Sequence, residues 1–70
     1  MAHEIYSRVM LTSDRHASEG AKRGAIGYVI EAYPDGTYEV EFSKPDGTTY
    51  AQIVAEGTEL KPAPLKPEPV

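Results

Sequence analysis

The fold is decided by one stretch of the chain, residues 25–54, which reads AIGYVIEAYPDGTYEVEFSKPDGTTYAQIV. Two near-copies of one turn, at residues 34–37 and 45–48, divide it into three segments. In each copy the proline restricts φ at the first corner, the aspartate bonds its own backbone and the glycine accepts a positive φ. The stretch is therefore predicted to form three strands joined by two tight hairpin turns.

The segment between the two turns has the clearest strand pattern. Tyr38, Val40 and Phe42 alternate with polar residues, which is the period of two expected when one face is buried. Residues 25–33 are almost continuously apolar, which predicts a long strand that is partly buried on both faces. Gly27 within it predicts a bulge or a close backbone approach. A helix over residues 25–32 is the competing interpretation, disfavoured by the β-branched content and by the turn that follows.

The remaining segments complete a small all-β domain. Residues 7–12 predict a first strand with Val9 and Leu11 on one face, residues 13–24 a long polar loop, and residues 48–54 a fourth strand. Residues 55–58 suit a single 3₁₀ turn, and residues 59–61 a last short strand stopped by Pro62.

The strand order predicts a five-stranded SH3-like barrel at residues 7–61, with a short lead-in at residues 1–6. Four of the nine residues 62–70 are proline, which predicts an extended or disordered tail. Residues 64–67 match a PxxP ligand pattern, although any proline-rich tail produces such a match readily.

Length, charge and cysteine content limit the possible functions. The chain has 70 residues, a formal net charge of −4 and no cysteine, so we expect one small domain without a disulfide or a thiolate zinc site. The negative charge argues against general nucleic-acid binding, which depends on Lys and Arg neutralising phosphates. No apolar run approaches the length of a membrane span and no signal peptide is evident, so we expect a cytoplasmic, soluble protein with no membrane partner.

The sequence predicts no enzymatic activity and no catalytic, cofactor or metal residues. Ser13, Asp14 and His16 share one loop, but no nucleophile elbow holds a serine in place. His3 and Glu4 are adjacent near the terminus, where two neighbouring residues make a poor metal cage.

Two groups of residues are candidates for binding a partner. Glutamates project from the second and third strands, where they either solvate the surface or dock a basic protein. Tyrosines offer a large contact area with a polar tip, or alternatively fill out a thin core. The first loop adds basic residues beside the position where SH3-like barrels often bind ligands. The predicted partner-binding residues are Arg15, His16, Tyr28, Glu31, Tyr33, Glu39, Glu41 and Tyr50.

Part of the chain resembles a known family. Residues 24–42, GAIGYVIEAYPDGTYEVEF, followed by DGT at 46–48 and LKP at 60–62, resemble a family of short bacterial proteins that share a domain of unknown function. The resemblance covers about residues 7–62 and implies an SH3-like barrel without an established activity. It further implies small partners of other proteins, among them antitoxins or immunity proteins. Similar barrels bind RNA or the ribosome, or are appended to nitrile hydratase subunits, and the fold does not choose between these roles.

Two functional hypotheses follow. The first is a non-enzymatic protein-binding module, an antitoxin, immunity protein or accessory subunit that uses the acidic hairpin surface to hold a basic protein. The alternative is an RNA-binding barrel that uses the bases of the first loop and stacks bases on exposed tyrosines. Whether the protein is a monomer or a homodimer is open at this stage.

Overall fold

The computed structural model describes residues 3–63, and these residues form one antiparallel sheet of five strands. The strands follow the order β4-β3-β2-β1-β5 across the sheet. Two single 3₁₀ turns, Ala17–Glu19 and Gly57–Glu59, lie before β2 and before β5. The strands are β1 Arg8–Leu11, β2 Ile26–Ala32, β3 Thr37–Ser43, β4 Thr49–Glu56 and β5 Leu60–Pro62.

The predicted all-β fold with five strands is confirmed, and the competing helix over residues 25–32 is wrong because residues 26–32 form β2. The part of the proline-rich tail at residues 64–70, including the PxxP match, lies outside the described residues. Within residues 3–63, no helix has the length and apolar character needed to cross a bilayer.

The two hairpin turns have the same local structure. In the first, the Gly36 N–H donates to the Tyr33 carbonyl at 3.2 Å, and Gly36 has φ 89°. The Asp35 carboxylate accepts the Thr37 N–H at 3.0 Å. The same features recur at residues 44–48, where these distances are 2.8 and 2.9 Å and the glycine φ is 91°. Each hairpin is therefore closed by the residue types that predicted it.

The core is formed by the inward side chains of all five strands and one residue of the first loop. The predicted inward faces of β1 and β3 are confirmed, since Val9, Leu11, Val40 and Phe42 are almost completely buried. The core residues are Val9, Leu11, Ala21, Val29, Tyr38, Val40, Phe42, Ala51, Ile53, Ala55 and Leu60.

Gly27 is required by close packing between β2 and β3. A Cβ atom at this position would lie 2.6 Å from the Glu41 carbonyl oxygen and 2.8 Å from the Phe42 ring. The predicted close approach is confirmed, and the bulge of β2 lies slightly further along, between Val29 and Glu31.

The predicted boundaries near the end of the domain are wrong by one or two residues. β4 continues to Glu56, because Ala55 extends the series of inward small and apolar side chains that begins with Ala51 and Ile53. The 3₁₀ turn accordingly moves to Gly57–Glu59 and includes Glu59, which had been predicted to begin the last strand. Pro62 is the last residue of β5 and does not lie just beyond the strand, as had been predicted. Its missing N–H is tolerated at this strand end.

The lead-in is tied to the sheet. The His3 N–H donates to the Tyr38 hydroxyl at 3.1 Å, and the His3 ring nitrogen Nε2 lies 3.0 Å from the Gly57 carbonyl oxygen. The Tyr6 N–H donates to the Val29 carbonyl. These contacts connect residues before β1 to β2, β3 and the second 3₁₀ turn.

Candidate protein-binding face

The outer surface of β2 and β3 carries three glutamates. Glu31 lies directly opposite Glu39 in the ladder, and Glu41 lies opposite Tyr28. Among residues 3–63, none of the three glutamates forms an ion pair with a basic side chain. We call the surface formed by Tyr28, Glu31, Tyr33, Glu39 and Glu41 the acidic face.

Hydrogen bonds hold Glu39 in the ionised form. The Tyr33 hydroxyl donates to Glu39 Oε1, and the Gln52 amide donates to Glu39 Oε2. The Tyr33 hydroxyl is the largest cause of the lowered pKa of Glu39, and the Gln52 amide adds to it. On the same surface the Thr49 hydroxyl donates to Glu41 Oε2 at 2.9 Å. The acidic face thus has carboxylates of defined orientation.

The structure divides the tyrosines between the surface and the core. Tyr28 and Tyr50 are each 43% exposed and Tyr33 is 38% exposed, whereas Tyr38 is buried. Tyr50 lies apart from the acidic face, at the irregular start of β4, with its ring centroid 6.3 Å from that of Phe42. Tyr28 and Tyr33 are therefore the aromatic residues that accompany the glutamates.

Arg15 and His16 belong to a second group, which we call the Glu59 cluster: Ser13, Arg15, His16 and Glu59. The Arg15 guanidinium donates to both carboxylate oxygens of Glu59, at 2.8 Å each. The Ser13 hydroxyl donates to Glu59 Oε2 at 2.8 Å, and His16 Nε2 lies 3.2 Å from Glu59 Oε1. The cluster fastens the first loop to the second 3₁₀ turn.

The backbone around Glu59 strengthens this attachment. Glu59 Oε1 accepts the Glu56 N–H at 2.8 Å, as one half of a capping box. The Thr12 N–H and hydroxyl both donate to the Glu59 carbonyl, at 2.8 and 2.9 Å. The Arg15 hydrogen bonds are the main reason that the pKa of Glu59 lies far below its ordinary value, with further contributions from Glu56, Ser13 and His16.

The Glu59 cluster changes what Arg15 and His16 offer to a partner. His16 is only 4% exposed, and its second ring nitrogen lies 3.3 Å from Glu19 Oε2, so its imidazole does not reach the surface. The Arg15 side chain remains 59% exposed, but its guanidinium fork is engaged by Glu59. Neither residue is joined by a hydrogen bond or an ion pair to the acidic face within the described part of the chain.

A further base of the first loop is also engaged. The Arg23 guanidinium donates to the Thr12 carbonyl at 2.8 Å and to the Asp14 carboxylate at 3.4 Å. Both arginines of this loop are therefore held by groups of the same chain.

Sequence reasoning missed Glu59, which was predicted only as a strand residue. Its partner Ser13 lies 46 positions earlier in the chain, and its partner Arg15 lies 44 positions earlier. The one local signal is the spacing of Glu56 and Glu59, which suits a capping box but carries no information about the first loop.

No curated protein and no solved structure matches this sequence. Residues 5–62 match the model of the domain of unknown function DUF4926. Because this match covers most of the chain, the protein belongs to the DUF4926 family.

Proposed function

We propose that this domain is a non-enzymatic protein-binding module that docks a basic protein on its acidic face. The observation that carries the proposal is the ladder position of Glu31 directly opposite Glu39. Like charges in directly opposed positions of a sheet are destabilising. A cationic partner would remove that repulsion, so the acidic face gains more from such a partner than a surface of scattered charges would.

Three features support a protein rather than a small ligand as the partner. The glutamates lie on the outer surface of two paired strands. Tyr28 and Tyr33 lie beside the glutamates and provide apolar area with a polar tip, a combination that recurs in protein interfaces. Glu39 is oriented by Tyr33 and Gln52, which reduces the entropy lost when a cation binds it.

We further infer that this all-β domain is an SH3-like barrel of bacterial origin without an activity of its own. Such a domain suits an antitoxin, an immunity protein or an accessory subunit in the cytoplasm. The RNA-binding alternative has less support, because Arg15 and Arg23 are engaged by Glu59 and Asp14. Neutralised bases contribute little to the phosphate contacts on which RNA affinity depends.

The test is an affinity capture from the native lysate at low salt, using the full chain as bait. We expect one basic protein in stoichiometric amount, released as ionic strength rises because exposed charge pairs are screened. The decisive variant is the triple change Glu31→Gln, Glu39→Gln and Glu41→Gln, which should abolish the capture.

A matched control removes the same charge elsewhere. The triple change Glu4→Gln, Asp14→Asn and Glu19→Gln also takes three negative charges from the formal net charge of −4, but outside the acidic face. Capture should survive in this control. Equal loss in both variants would reduce the effect to net charge, and undiminished capture by the first variant would refute the acidic face as the docking surface.

A further inference from the structure

The two edges of the sheet differ in how well they are protected. β5 is three residues long and contains Lys61 and Pro62. Short length, lysine and proline are the devices by which proteins keep an edge strand from pairing with another chain. β4, at the opposite edge, has eight residues, no proline and no basic residue, and its one charged residue is Glu56 at its end. Val54 near its middle is 49% exposed.

The hydrogen bonds of β4 show which backbone groups face away from the sheet. The Gly57 N–H donates to the Gly36 carbonyl at 3.1 Å, next to the pairing of Thr37 with Glu56. Because bonded and non-bonded pairs alternate along an antiparallel ladder, the backbone of residues 51, 53 and 55 is bonded to β3. The N–H and C=O groups of Gln52 and Val54 therefore point outward, and β3 is the only strand beside β4 among residues 3–63.

The charge next to this edge selects the occupant. Val54 and Gln52 are the ladder partners of Glu39 and Glu41, so two acidic residues of the acidic face lie one strand in from the edge. A strand added to β4 would lie about 4.8 Å from it, within reach of Glu39 and Glu41 for lysine or arginine side chains that lean across β4. A second copy of this chain would instead bring two acidic surfaces together, with like charges opposed.

We propose that the edge of β4 at residues 52–56 takes up an extended basic segment of the partner as a sixth strand of the sheet. Backbone hydrogen bonds to Gln52 and Val54 supply the pairing, and alternate basic side chains of the segment reach Glu39 and Glu41. This inference rests on the proposed function and specifies how the acidic face is used.

The test uses a blocked peptide of alternating lysine and valine, as long as β4, added to the full chain. Amide hydrogen exchange is followed residue by residue. We expect the peptide to slow exchange at Gln52 and Val54 by about tenfold or more at saturation, because both N–H groups become bonded. Ile53, already bonded to β3, is the internal control and should change little.

A second peptide separates backbone pairing from charge. It has the same sequence with every backbone amide N-methylated, so it keeps every lysine but has no N–H donor on either edge with which to form a ladder. It should bind at least about tenfold more weakly. Equal binding of both peptides without slowed exchange at Gln52 and Val54 would overturn the sixth strand while leaving the acidic face as the docking surface. Failure of both peptides to bind would count against the edge and the acidic face together.

A pair of variants tests the edge itself. Val54→Lys introduces the protection that β4 lacks and should weaken binding of the lysine–valine peptide about tenfold or more. Ala32→Lys adds the same charge at the exposed end of β2 and should have a much smaller effect. Equal effects would refute the edge as the site. If exchange at Gln52 and Val54 were already slow without peptide and became slower at higher protein concentration, the edge would be assigned to a second copy of the chain. That result would overturn the proposal.

Discussion

The two hairpin turns and the first loop are all polar connections of this domain. The turns are ordered by hydrogen bonds among neighbouring residues, whereas the first loop is ordered by a residue that is distant in the sequence. Each hairpin turn is closed by hydrogen bonds among five consecutive residues, 33–37 or 44–48. The first loop is held instead by Glu59, whose bonding partner Ser13 lies 46 positions away. Connections ordered by neighbouring residues can be read from sequence, whereas those ordered by a distant residue cannot.

The largest effect should come from removing the distant anchor. Glu59→Ala eliminates the acceptor for Arg15, Ser13 and the Glu56 N–H and leaves the buried His16 ring without that neighbour. We expect the free energy of unfolding to fall by about 2–3 kcal/mol, because several donors lose one largely buried acceptor at once, while the exposed Arg15 end of the ion pair adds little. Urea unfolding followed by circular dichroism measures this.

The control for this prediction is Glu31→Ala, which removes an exposed glutamate that lies opposite another one. It should change stability little, or increase it slightly as the repulsion from Glu39 is relieved. If the two variants lost similar stability, the contrast between the anchored loop and the exposed strands would be wrong.

The next effect concerns the turns. Gly36→Ala and Gly47→Ala each place a side chain on a backbone with φ near 90°, although the space around both positions is open. Each should cost about 1–2 kcal/mol through backbone strain alone, and the two costs should be similar because the turns share one structure. Thermal and urea unfolding of both variants would establish the comparison.

Asparagine is the matched substitution at the same two positions, since it tolerates a positive φ better than alanine does. Gly36→Asn and Gly47→Asn should therefore retain more stability than the alanine variants. A large loss at one turn and none at the other would show that the turns are not equivalent.

The smallest effect is expected from mild acid. The pKa of Glu59 is lowered in the folded state, so its stabilising contribution is complete above the ordinary value of 4.5 and declines as pH falls below it. Between neutral pH and about pH 4, this decline should amount to less than about 1 kcal/mol.

Glu59→Gln isolates this contribution, because glutamine does not titrate. The pKa values of Asp35, Asp46 and Glu39 are also lowered, by hydrogen bonds from Thr37, Thr48 and Tyr33 respectively, and their contributions remain in the variant. Stability of the variant should depend less steeply on pH than that of the native chain. Identical slopes would mean that Glu59 is not the group responsible.

The same contrast explains how much of the molecule could be predicted. The alternation of Tyr38, Val40 and Phe42 and the paired Pro-Asp-Gly turns are local patterns, and they predicted β3 and both hairpins correctly. The requirement for glycine at position 27 was also legible, since a glycine inside a strand often marks a close approach. The errors at the end of β4 arose where alanine continued a pattern that larger residues had defined.

The residues of the candidate site divide along the same line. Strand alternation was enough to predict that Glu39 and Glu41 share a surface, but not that Glu31 lies directly opposite Glu39, which depends on the bulge in β2. His16 was expected beside a ligand groove but is buried against Glu59. This contact could not be predicted, because no pattern in the loop sequence indicates an acidic partner near the end of the domain.

The anchoring of the first loop by Glu59 has a consequence for the order of folding during synthesis. The loop emerges early from the ribosome, whereas its anchor is among the last residues of the sheet to be made. The hairpins of β2, β3 and β4 can close as soon as they emerge, but the loop must wait until Glu59 is outside the exit tunnel. A nascent chain stopped before that residue lacks the acceptor for Ser13 and Arg15, so the first loop, like the pairing of β1 with β5, has to wait for the last residues of the domain.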